Sequence, residues 1–489
     1  MTNPSAELTP NSAHFDEWRL KMILERARNR SADRGRPVLA SATDRVEAID
    51  PLLAIERVRR AAHDGEIPRE LVAEGCMYWA HPRDGLAMAG VGAAVAFTPA
   101  GKERFAVVDK AWQSLLADSV AGSEHASPVM MGGFSFNAHG PTSSKWEEFG
   151  ATWMFVPRMS IETRGEVHQI TLSAMVSAES DLEKLRDELI ALRNAADTDF
   201  RKYPVGFRPD EPLVLSEPRS RAEWNALVSA AVSRIRQGDF EKVVLAREVA
   251  AIAANDVDAV ATLRQLRAGH PDAFVFGAWR GDRVFVGASP ERLVSVHGRD
   301  VKASSLAGTA RRGATEAEDG LLATQLLTNP KERAEHAAVK DSLVEKLAGL
   351  CEDVVASPEP NLLTLPHLHH LHTEVCGRLR AGCSLLDVVA MLHPTPAVGG
   401  TPRDAALAFI NGNEFLDRGW YAAPVGWIGR DAGEFAVALR CALLAGNHAT
   451  LYAGCGIVEG SEPALEYAES QLKLRPVRLA IEAALAEDN

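Results

Sequence analysis

The stretch AFVFGAWRGDRVFVGASPERLVSV, residues 273–296, decides the fold class of this chain. It divides into three short apolar runs, at 273–279, 283–288 and 292–296. The dipeptide Gly281-Asp282 separates the first two runs, and Gly298-Arg299-Asp300 follows the third. Short strands joined by glycine-containing loops are typical of antiparallel hairpins. The stretch therefore predicts antiparallel β-structure.

Short apolar runs separated by glycine-containing loops occur again near the C-terminal end, and helical patterns lie between the two sets of strands. Late strands are predicted at 425–428, 434–444 and 450–456, and helices at 317–326, 331–349 and 402–410, with a closing pair after 462. Upstream, the patterns predict helices at 15–30, 180–196 and 221–237, and strands around 76–97, 104–108, 128–136, 151–158, 168–175 and 242–249. Strand meanders combined with long helices predict an α+β fold with mixed, mainly antiparallel sheets.

The organisation of the chain is predicted from its length and its proline distribution. A length of 489 residues exceeds one minimal domain, since domains usually hold about 100–200 residues. Residues 1–14 resemble a flexible tail, and 15–200 form a first half. Four prolines among charged residues mark 201–220 as a linker or crossover, and 221–489 form the second region.

Charge and cysteine content narrow the possible partners and the compartment. The chain has 53 Lys and Arg against 66 Asp and Glu, a net charge of −13, which argues against nucleic acid. The apolar stretch 86–99 is too short to cross a membrane, and residues 1–13 lack the features of a signal peptide. Six sparse cysteines without a C-x-x-C pair predict a reduced, cytoplasmic protein.

Arg440 does not fit its surroundings. Both faces of the predicted strand 434–444 are apolar, which indicates a central buried strand. A guanidinium group there needs an anionic partner, because an unpaired buried charge costs several kcal/mol. That partner is either an internal carboxylate or a substrate, and the neighbouring alanines leave room for the latter.

Carboxylates on two predicted helices are candidate metal ligands. Glu335 lies four residues before Val339 and so projects from the buried edge of its helix, although a carboxylate near a helix start is also favoured by the macrodipole. Glu466, Glu469 and Lys473 share one helical face. They form either a solvated ion pair or, with Glu335, an oxygen-ligand site for Mg²⁺.

Two further groups are weighed against less specific roles. The backbone of Gly454-Cys455-Gly456, at a strand end, suits a carboxylate, whereas no neighbouring signature supports Cys455 as a nucleophile. The histidines of the segment 367–372 invite a metal-binding interpretation. In a strand, however, His367 and His369 face one side while His370 and His372 face the other, which argues against zinc.

These residues fall inside a pattern that resembles the chorismate-utilising enzymes and, among them, the isochorismate synthases. The resemblance covers about 220–480 and rests on ordered blocks: KVVLAR (242–247), GASPERL (287–293), LAGTAR (306–311), EH (335–336), LHPTPAVGG (392–400), GWY (419–421), GEF (433–435) with Arg440, GCGIV (454–458), and EYAE (466–469) with Lys473. The first 200 residues match more loosely, through MGGFSF (131–136) and VPR (156–158).

The resemblance implies a fold, a cofactor and a role for each matching residue. It implies large, mainly antiparallel sheets wrapped by helices, with the site in 221–489 and chorismate as the small-molecule substrate. Lys242 matches the general base and Glu291 the general acid. Glu335 and Glu469, with Glu466 nearby, match the holders of Mg²⁺. The substrate-binding positions are Gly308, His393, Tyr421, Arg440, Gly454, Gly456 and Lys473.

The implied reaction adds water at C2 of chorismate and removes the C4 hydroxyl group, which gives isochorismate. A lysine with a reference pKa of about 10.4 serves as the base only if its site lowers that pKa. A glutamate with a reference pKa of about 4.3 serves as the acid only if its site raises it. Mg²⁺ and Arg440 would hold the dianionic substrate in one pose.

Related activities are separated by single positions. Aminodeoxychorismate synthases have a nucleophilic lysine where this chain has Ala307, and anthranilate synthases lack a lysine at the position of Lys242. The chain carries no glutaminase module, and we expect no glutaminase partner. A salicylate synthase, which goes on to expel pyruvate, remains an alternative. So do a non-catalytic ligand-binding relative and a purely structural α+β protein.

Overall fold

The computed structural model describes residues 16–122, 128–197, 213–364 and 368–487. Its helices are α1 (Glu17–Arg34), α2 (Pro51–His63), α3 (Glu70–Ala73), α4 (Arg104–Asp118), α5 (Leu182–Ala196), α6 (Arg221–Arg236), α7 (Ala259–Gly269), α8 (Glu316–Thr328), α9 (Pro330–Leu350), α10 (Leu385–Leu392), α11 (Arg403–Asn413) and α12 (Pro463–Glu487). The predicted tail 1–14 and most of the predicted linker, 201–212, lie outside the described residues.

Strands of both halves alternate with these helices. The strands of the first half are β1 (Val38–Arg45), β2 (Cys76–His81), β3 (Leu86–Phe97), β4 (Val120–Ala121), β5 (Met130–Phe134), β6 (Thr152–Arg164) and β7 (Val167–Val176). β8 (Val214–Ser216) lies in the predicted linker. The strands of the second region are β9 (Lys242–Ile252), β10 (Phe274–Arg280), β11 (Arg283–Ser289), β12 (Arg292–His297), β13 (Asp300–Arg311), β14 (Cys351–Ala356), β15 (Asn361–Thr364), β16 (Leu368–Leu379), β17 (Gly400–Thr401), β18 (Pro424–Ile428), β19 (Ala432–Val437), β20 (Cys441–Ala445) and β21 (His448–Ile457).

The strands form one hydrogen-bonded array with two branches that meet at β3 and β6. The first branch runs β3-β2-β10-β11-β20-β21-β9. The second runs β6-β5-β18-β19-β12-β13-β16. Every one of these pairs is antiparallel, and β1 with β4 is a parallel exception at the edge. The α+β fold with large, mainly antiparallel sheets is confirmed.

The two branches face each other across a large apolar core. Phe274, Phe276 and Ala278 of β10 point into this core, whereas Val275 points to the opposite face. That opposite face packs against buried residues of α1, α2, α5, α7 and α12. Both faces of the opening stretch are therefore buried, which explains why its strands are almost continuously apolar.

The predicted hairpin of 273–279 with 283–288 is confirmed as β10 with β11, and β12 forms a second hairpin with β13, a strand that the sequence analysis did not predict. β11 and β12 do not pair with each other. β11 pairs with β20 in the first branch, and β12 pairs with β19 in the second. The segment between them, which contains Glu291, therefore crosses from one branch to the other.

Three predicted elements were wrong. Residues 104–108 belong to helix α4, because Phe105, Val108 and Trp112 are buried at helical spacing. The single strand predicted at 434–444 is two strands, β19 and β20, and Arg440 in the break between them has a φ of 50°. The closing pair of helices is the single helix α12, which continues through Pro476.

Candidate active site

A cavity with about 1390 Å³ of empty space, open solvent included, lies in the second half of the chain. Its walls come from β9, β13, β21, α9, α12 and the segments that join β11 to β12 and β19 to β20. Eleven of the twelve sequence-predicted site residues line it: Lys242, Glu291, Gly308, Glu335, Tyr421, Arg440, Gly454, Gly456, Glu466, Glu469 and Lys473.

Glu291 and Arg440 reach this cavity because the chain changes branch twice at the same place. The first crossover carries Glu291, and the second, between β19 and β20, carries Arg440. Hydrogen bonds join the two crossovers: Val437 N donates to Glu291 O at 3.0 Å, and Ala288 N donates to Arg440 O at 3.2 Å. The backbone thus fixes the acid and the guanidinium group relative to each other.

The Glu291 carboxyl group is buried, with 5% of the residue exposed. Burial raises its pKa to about 7, although the cations of Arg440, Lys242 and Lys473 act in the opposite direction. A carboxyl group with such a pKa is protonated in a substantial fraction of molecules at neutral pH. It can therefore donate a proton to a leaving group.

Arg440 has no carboxylate within 4.0 Å in the described part of the chain, and its guanidinium group makes no hydrogen bond there. The alternative of an internal ion pair is therefore not what the structure contains. Burial lowers the pKa of Arg440 from its ordinary value, against the effect of Tyr421, Glu469 and Glu291. A guanidinium group that lines a cavity without a partner can bind an anion.

Lys242 begins β9, and its side chain lies against the backbone of Gly456 on the neighbouring strand β21. A Cβ atom at position 456 would come within 2.7 Å of Lys242 Cε. Burial lowers the pKa of the Lys242 ammonium group, as does nearby Lys473, while Glu335 opposes the shift. The shift favours the neutral amine, which is the form that accepts a proton.

Lys473 is paired within the cavity wall rather than on a wet surface. Its Nζ lies 2.6 Å from Glu469 Oε1 and donates to Gly454 O at 3.0 Å. Only 15% of its side chain is exposed. Burial works against the charge of Lys473, but Glu469 prevails and raises its pKa. Burial alone would raise the pKa of Glu469, but the positive charge of Lys473 outweighs this effect and lowers that pKa.

Carboxylates collect on one side of the cavity. Oxygen atoms of Glu466 and Glu469 lie within 4.8 Å of each other and of Cys455 Sγ. Burial raises the pKa of the Cys455 thiol to about 12, and Sγ donates to Glu466 O at 3.1 Å, so the ligand atoms on offer are oxygens. Glu335 lines the same cavity from α9 but lies outside this tight group.

Glu332 is a cavity residue that the sequence analysis missed. Its position three residues before Glu335, on the same face of α9, was the available signal. The side chain of Asn329 caps this helix and fixes where the face begins. Burial raises the pKa of Glu332, and the negative charges of Glu335 and Glu469 raise it further.

Two glycines and a tyrosine shape the floor of the cavity. Gly308 has a φ of 79° and forms a bulge where β13 pairs with β16. A Cβ atom at Gly454 would come within 2.7 Å of the Tyr421 hydroxyl oxygen. The absence of a side chain at position 454 therefore lets Tyr421 reach the cavity wall.

His370 was noted in the sequence only as part of a histidine cluster, yet it lines the cavity. Its Nδ1 lies 3.0 Å from Thr309 Oγ1, and its Nε2 is buried without a hydrogen-bond partner among the described residues. Burial lowers the pKa of His370 to about 3, so the ring is neutral. His367 lies outside the described residues; no other histidine of β16 joins a described group of three potential metal ligands.

The structure does not bring His393 to the cavity. The ring is buried beside Phe105 and Phe136, and its Nε2 lies 3.2 Å from Phe136 O. Burial lowers the pKa of His393 to about 3. The adjacent loop reaches the cavity instead through Ala397 and Val398.

Comparison with known proteins agrees with this architecture. Residues 23–482 match the family described as chorismate binding enzyme. The salicylate biosynthesis isochorismate synthase of Pseudomonas aeruginosa is 37% identical over 473 residues, which cover 95% of this chain and 94% of that protein. The isochorismate synthase MenF of Bacillus subtilis is 33% identical and covers 83% of this chain, with 87% of its own length matched.

A solved structure shares the fold. The menaquinone-specific isochorismate synthase MenF of Escherichia coli has a TM-score of 0.75 and 24% identity, with 95% of this chain and 100% of that chain covered. No helix in the described ranges is both long and apolar enough to cross a lipid bilayer. The match over most of the chain, together with the two relatives, identifies this protein as a member of the chorismate-binding enzyme family.

Proposed function

We propose that this protein converts chorismate to isochorismate by adding water at C2 and releasing the C4 hydroxyl group as water. One observation carries the proposal. A lysine with a lowered pKa and a glutamate with a pKa raised to about 7 line the same cavity. The two relatives named above are isochorismate synthases, which supports the same reaction.

In this reaction Lys242 and Glu291 have complementary tasks. Neutral Lys242 takes a proton from the attacking water, whose oxygen forms the new bond at C2. The ring double bond shifts, and the C4–O bond breaks while Glu291 gives its proton to the departing oxygen. Each group therefore needs the protonation state that its environment favours.

Two cations of the cavity wall, Arg440 and Lys473, are suited to hold the substrate. Chorismate carries two carboxylates, and the unpaired guanidinium group of Arg440 can bind one of them in a bidentate manner. Gly454 and Gly456 line the same cavity, and Lys473, which donates to Gly454 O, adds a positive charge. These contacts would fix the ring between the base and the acid.

The carboxylates of Glu335, Glu466 and Glu469 fit a divalent cation, with Glu332 as a fourth. Their donor atoms are oxygens, which Mg²⁺ prefers, and the thiol of Cys455 is protonated. Burial raises the pKa of Glu332 and Glu466, and neighbouring carboxylates raise it further; a cation would relieve this repulsion. Bound Mg²⁺ would neutralise the second carboxylate of the substrate and orient it.

Residues that related reactions require are replaced. Ala307, in the cavity wall, offers no nucleophile for covalent attack at C2. Because Lys242 activates water, no ammonia is needed, and we expect no glutaminase partner. The six cysteines are all free, which is consistent with a reducing compartment such as the cytoplasm.

The test is to incubate the purified protein with chorismate and Mg²⁺ and to separate the products by chromatography. We expect isochorismate without salicylate or pyruvate. Lys242→Ala should abolish turnover yet bind chorismate, whereas Lys302→Ala, at an exposed ion pair with Glu374, should remain active. Salicylate with pyruvate as the main products, or no conversion of chorismate, would overturn the proposal.

A further inference from the structure

The wall that carries Glu291 separates two cavities. Glu291, Leu306 and Ala397 line the active-site cavity and also a second cavity, here named the relay cavity. The relay cavity has about 400 Å³ of empty space, open solvent included. Its polar walls include Ser304 of β13, Thr395 of the loop after α10, and Ser342 and Lys346 of α9.

The walls of the relay cavity are suited to water. Thr395 Oγ1 is buried and has no hydrogen-bond partner among the described residues. Buried hydroxyl groups in proteins are nearly always bonded, to protein or to ordered water. Ser304 adds a second hydroxyl, which lies 3.3 Å from His372 Nε2. Water in this cavity would complete the hydrogen bonding of Thr395.

The relay cavity extends from Glu291 towards the protein surface. Glu291 itself is buried, whereas Ser342 and Lys346 on the far wall are partly exposed. Both belong to successive turns of α9, which covers the cavity from outside. The relay cavity thus touches both buried Glu291 and partly exposed residues of α9 that do not line the active-site cavity.

The proposed reaction leaves two groups in the wrong protonation state for the next turnover. At the end of each turnover Glu291 has lost a proton and Lys242 has gained one, and the active-site cavity still holds the product. We propose that the relay cavity is the port through which Glu291 regains its proton from solvent and the water released at C4 leaves. This inference rests on the proposed isochorismate synthase reaction.

The steps balance without any further reactant. The O–H bond of the Glu291 carboxyl group breaks, and its proton joins the C4 hydroxyl oxygen, which departs as water with the electrons of the C–O bond. In the reset, one proton moves from solvent through water in the relay cavity to the Glu291 carboxylate. One proton returns from Lys242 to solvent, so the cycle neither consumes nor releases protons.

The experiment fills the relay cavity and separates the chemical step from the reset. Ser342→Leu places bulk in the cavity, and Ala348→Leu adds the same bulk on the exposed side of α9 as the matched control. Below the Glu291 pKa of about 7, most resting molecules begin with this carboxyl group protonated, so the assay is run there. In Ser342→Leu we therefore expect a first turnover at the wild-type rate, followed by a steady-state kcat about tenfold lower and more sensitive to D₂O.

Thr395→Val is the second variant. It removes a hydroxyl group while keeping the shape of the side chain, and it tests the inference if Ser342→Leu does not fold. We expect the same burst with a smaller fall in kcat and an unchanged KM. Small buffer acids should restore part of the rate in both variants. An unchanged kcat, or an equal loss of rate in the first and later turnovers, would overturn the inference. The proposed function would still stand, because it depends on the turnover of the wild-type enzyme.

Discussion

Gly456 lies directly against the side chain of Lys242. A Cβ atom at position 456 would come within 2.7 Å of Lys242 Cε and 3.2 Å of its Nζ. Contacts under about 3.0 Å between carbon atoms force one group to move, and the mobile group here is the lysine chain. The glycine therefore holds the space in which the proposed base works.

Gly456→Ala should displace Lys242 without removing it. Because a general base contributes about 10²–10⁴-fold, we expect kcat to fall at least about tenfold while chorismate still binds. Steady-state kinetics and calorimetric titration with chorismate measure the two quantities. Gly412→Ala, in α11, is the control because a Cβ atom there has no neighbour within 4 Å. Equal kinetics for both variants would contradict the spatial role of Gly456.

The pH dependence of kcat/KM should contain a limb that belongs to Glu291. Burial raises the pKa of Glu291 to about 7. Because the acid must be protonated to act, kcat/KM of the wild type should fall as the pH rises through about 7. Glutamine cannot titrate there, so Glu291→Gln should lose that limb along with most of its rate. Its residual rate should rise with pH until Lys242 is neutral and then stay level. A limb near pH 7 that persists in this variant would remove Glu291 as its source.

Arg440→Met should weaken chorismate binding without weakening the fold. The guanidinium group has no carboxylate within 4.0 Å in the described ranges, so its burial is uncompensated before substrate binds. Charged hydrogen bonds contribute about 1.5–3 kcal/mol, which corresponds to a roughly 10–100-fold higher Kd. Calorimetry gives the affinity and thermal denaturation the stability. A normal Kd with a lowered Tm would mean that Arg440 is structural.

The opening stretch was sufficient to predict hairpins because alternation and glycine-containing loops are local properties. Its sequence does not show that β11 and β12 lie in different branches, since both read as ordinary strands. The break between β19 and β20 at Arg440 could not be predicted for a similar reason. An apolar run contains no signal for a single residue with a φ of 50°, which is set by the strands on either side.

For the candidate site, too, local motifs were predictable and tertiary contacts were not. The ordered blocks of the resemblance led to all twelve predicted site residues, of which eleven line the cavity, and their proposed roles stay predictions. His370 was not predicted as a site residue because its place in the cavity depends on the pairing of β16 with β13 at the Gly308 bulge. His393 sits in a matching block, but tertiary packing turns its ring towards Phe136 instead.

Glu469→Gln should weaken the proposed response to Mg²⁺. The change removes one negative charge from the carboxylate group and also the ion pair with Lys473 at 2.6 Å. We expect a Mg²⁺ titration of activity to shift to about tenfold or higher concentrations. Glu482→Gln, on the same helix in a half-exposed pair with Arg478, is the matched control. Superimposable titrations for the wild type and Glu469→Gln would exclude this carboxylate from metal binding.

The stability of the cavity wall should depend on one buried ion pair. Arg418 and Glu414 are each 2% exposed and lie 2.7 Å apart, and Arg418 also donates to Val244 O and Val398 O at 2.7 and 2.9 Å. Val244 and Val398 line the active-site cavity, so the pair connects β9 to the loop that precedes β17.

Glu414→Gln leaves the Arg418 charge buried with weakened compensation. We expect the free energy of unfolding to fall by about 3–5 kcal/mol in urea denaturation. Glu482→Gln removes a carboxylate from a half-exposed pair and should change it by less than about 1 kcal/mol. Two equal, small losses would mean that the cavity wall does not depend on the buried pair. A large loss confined to Glu414→Gln would show that burial, rather than the number of ion pairs, sets the cost of removing one charge.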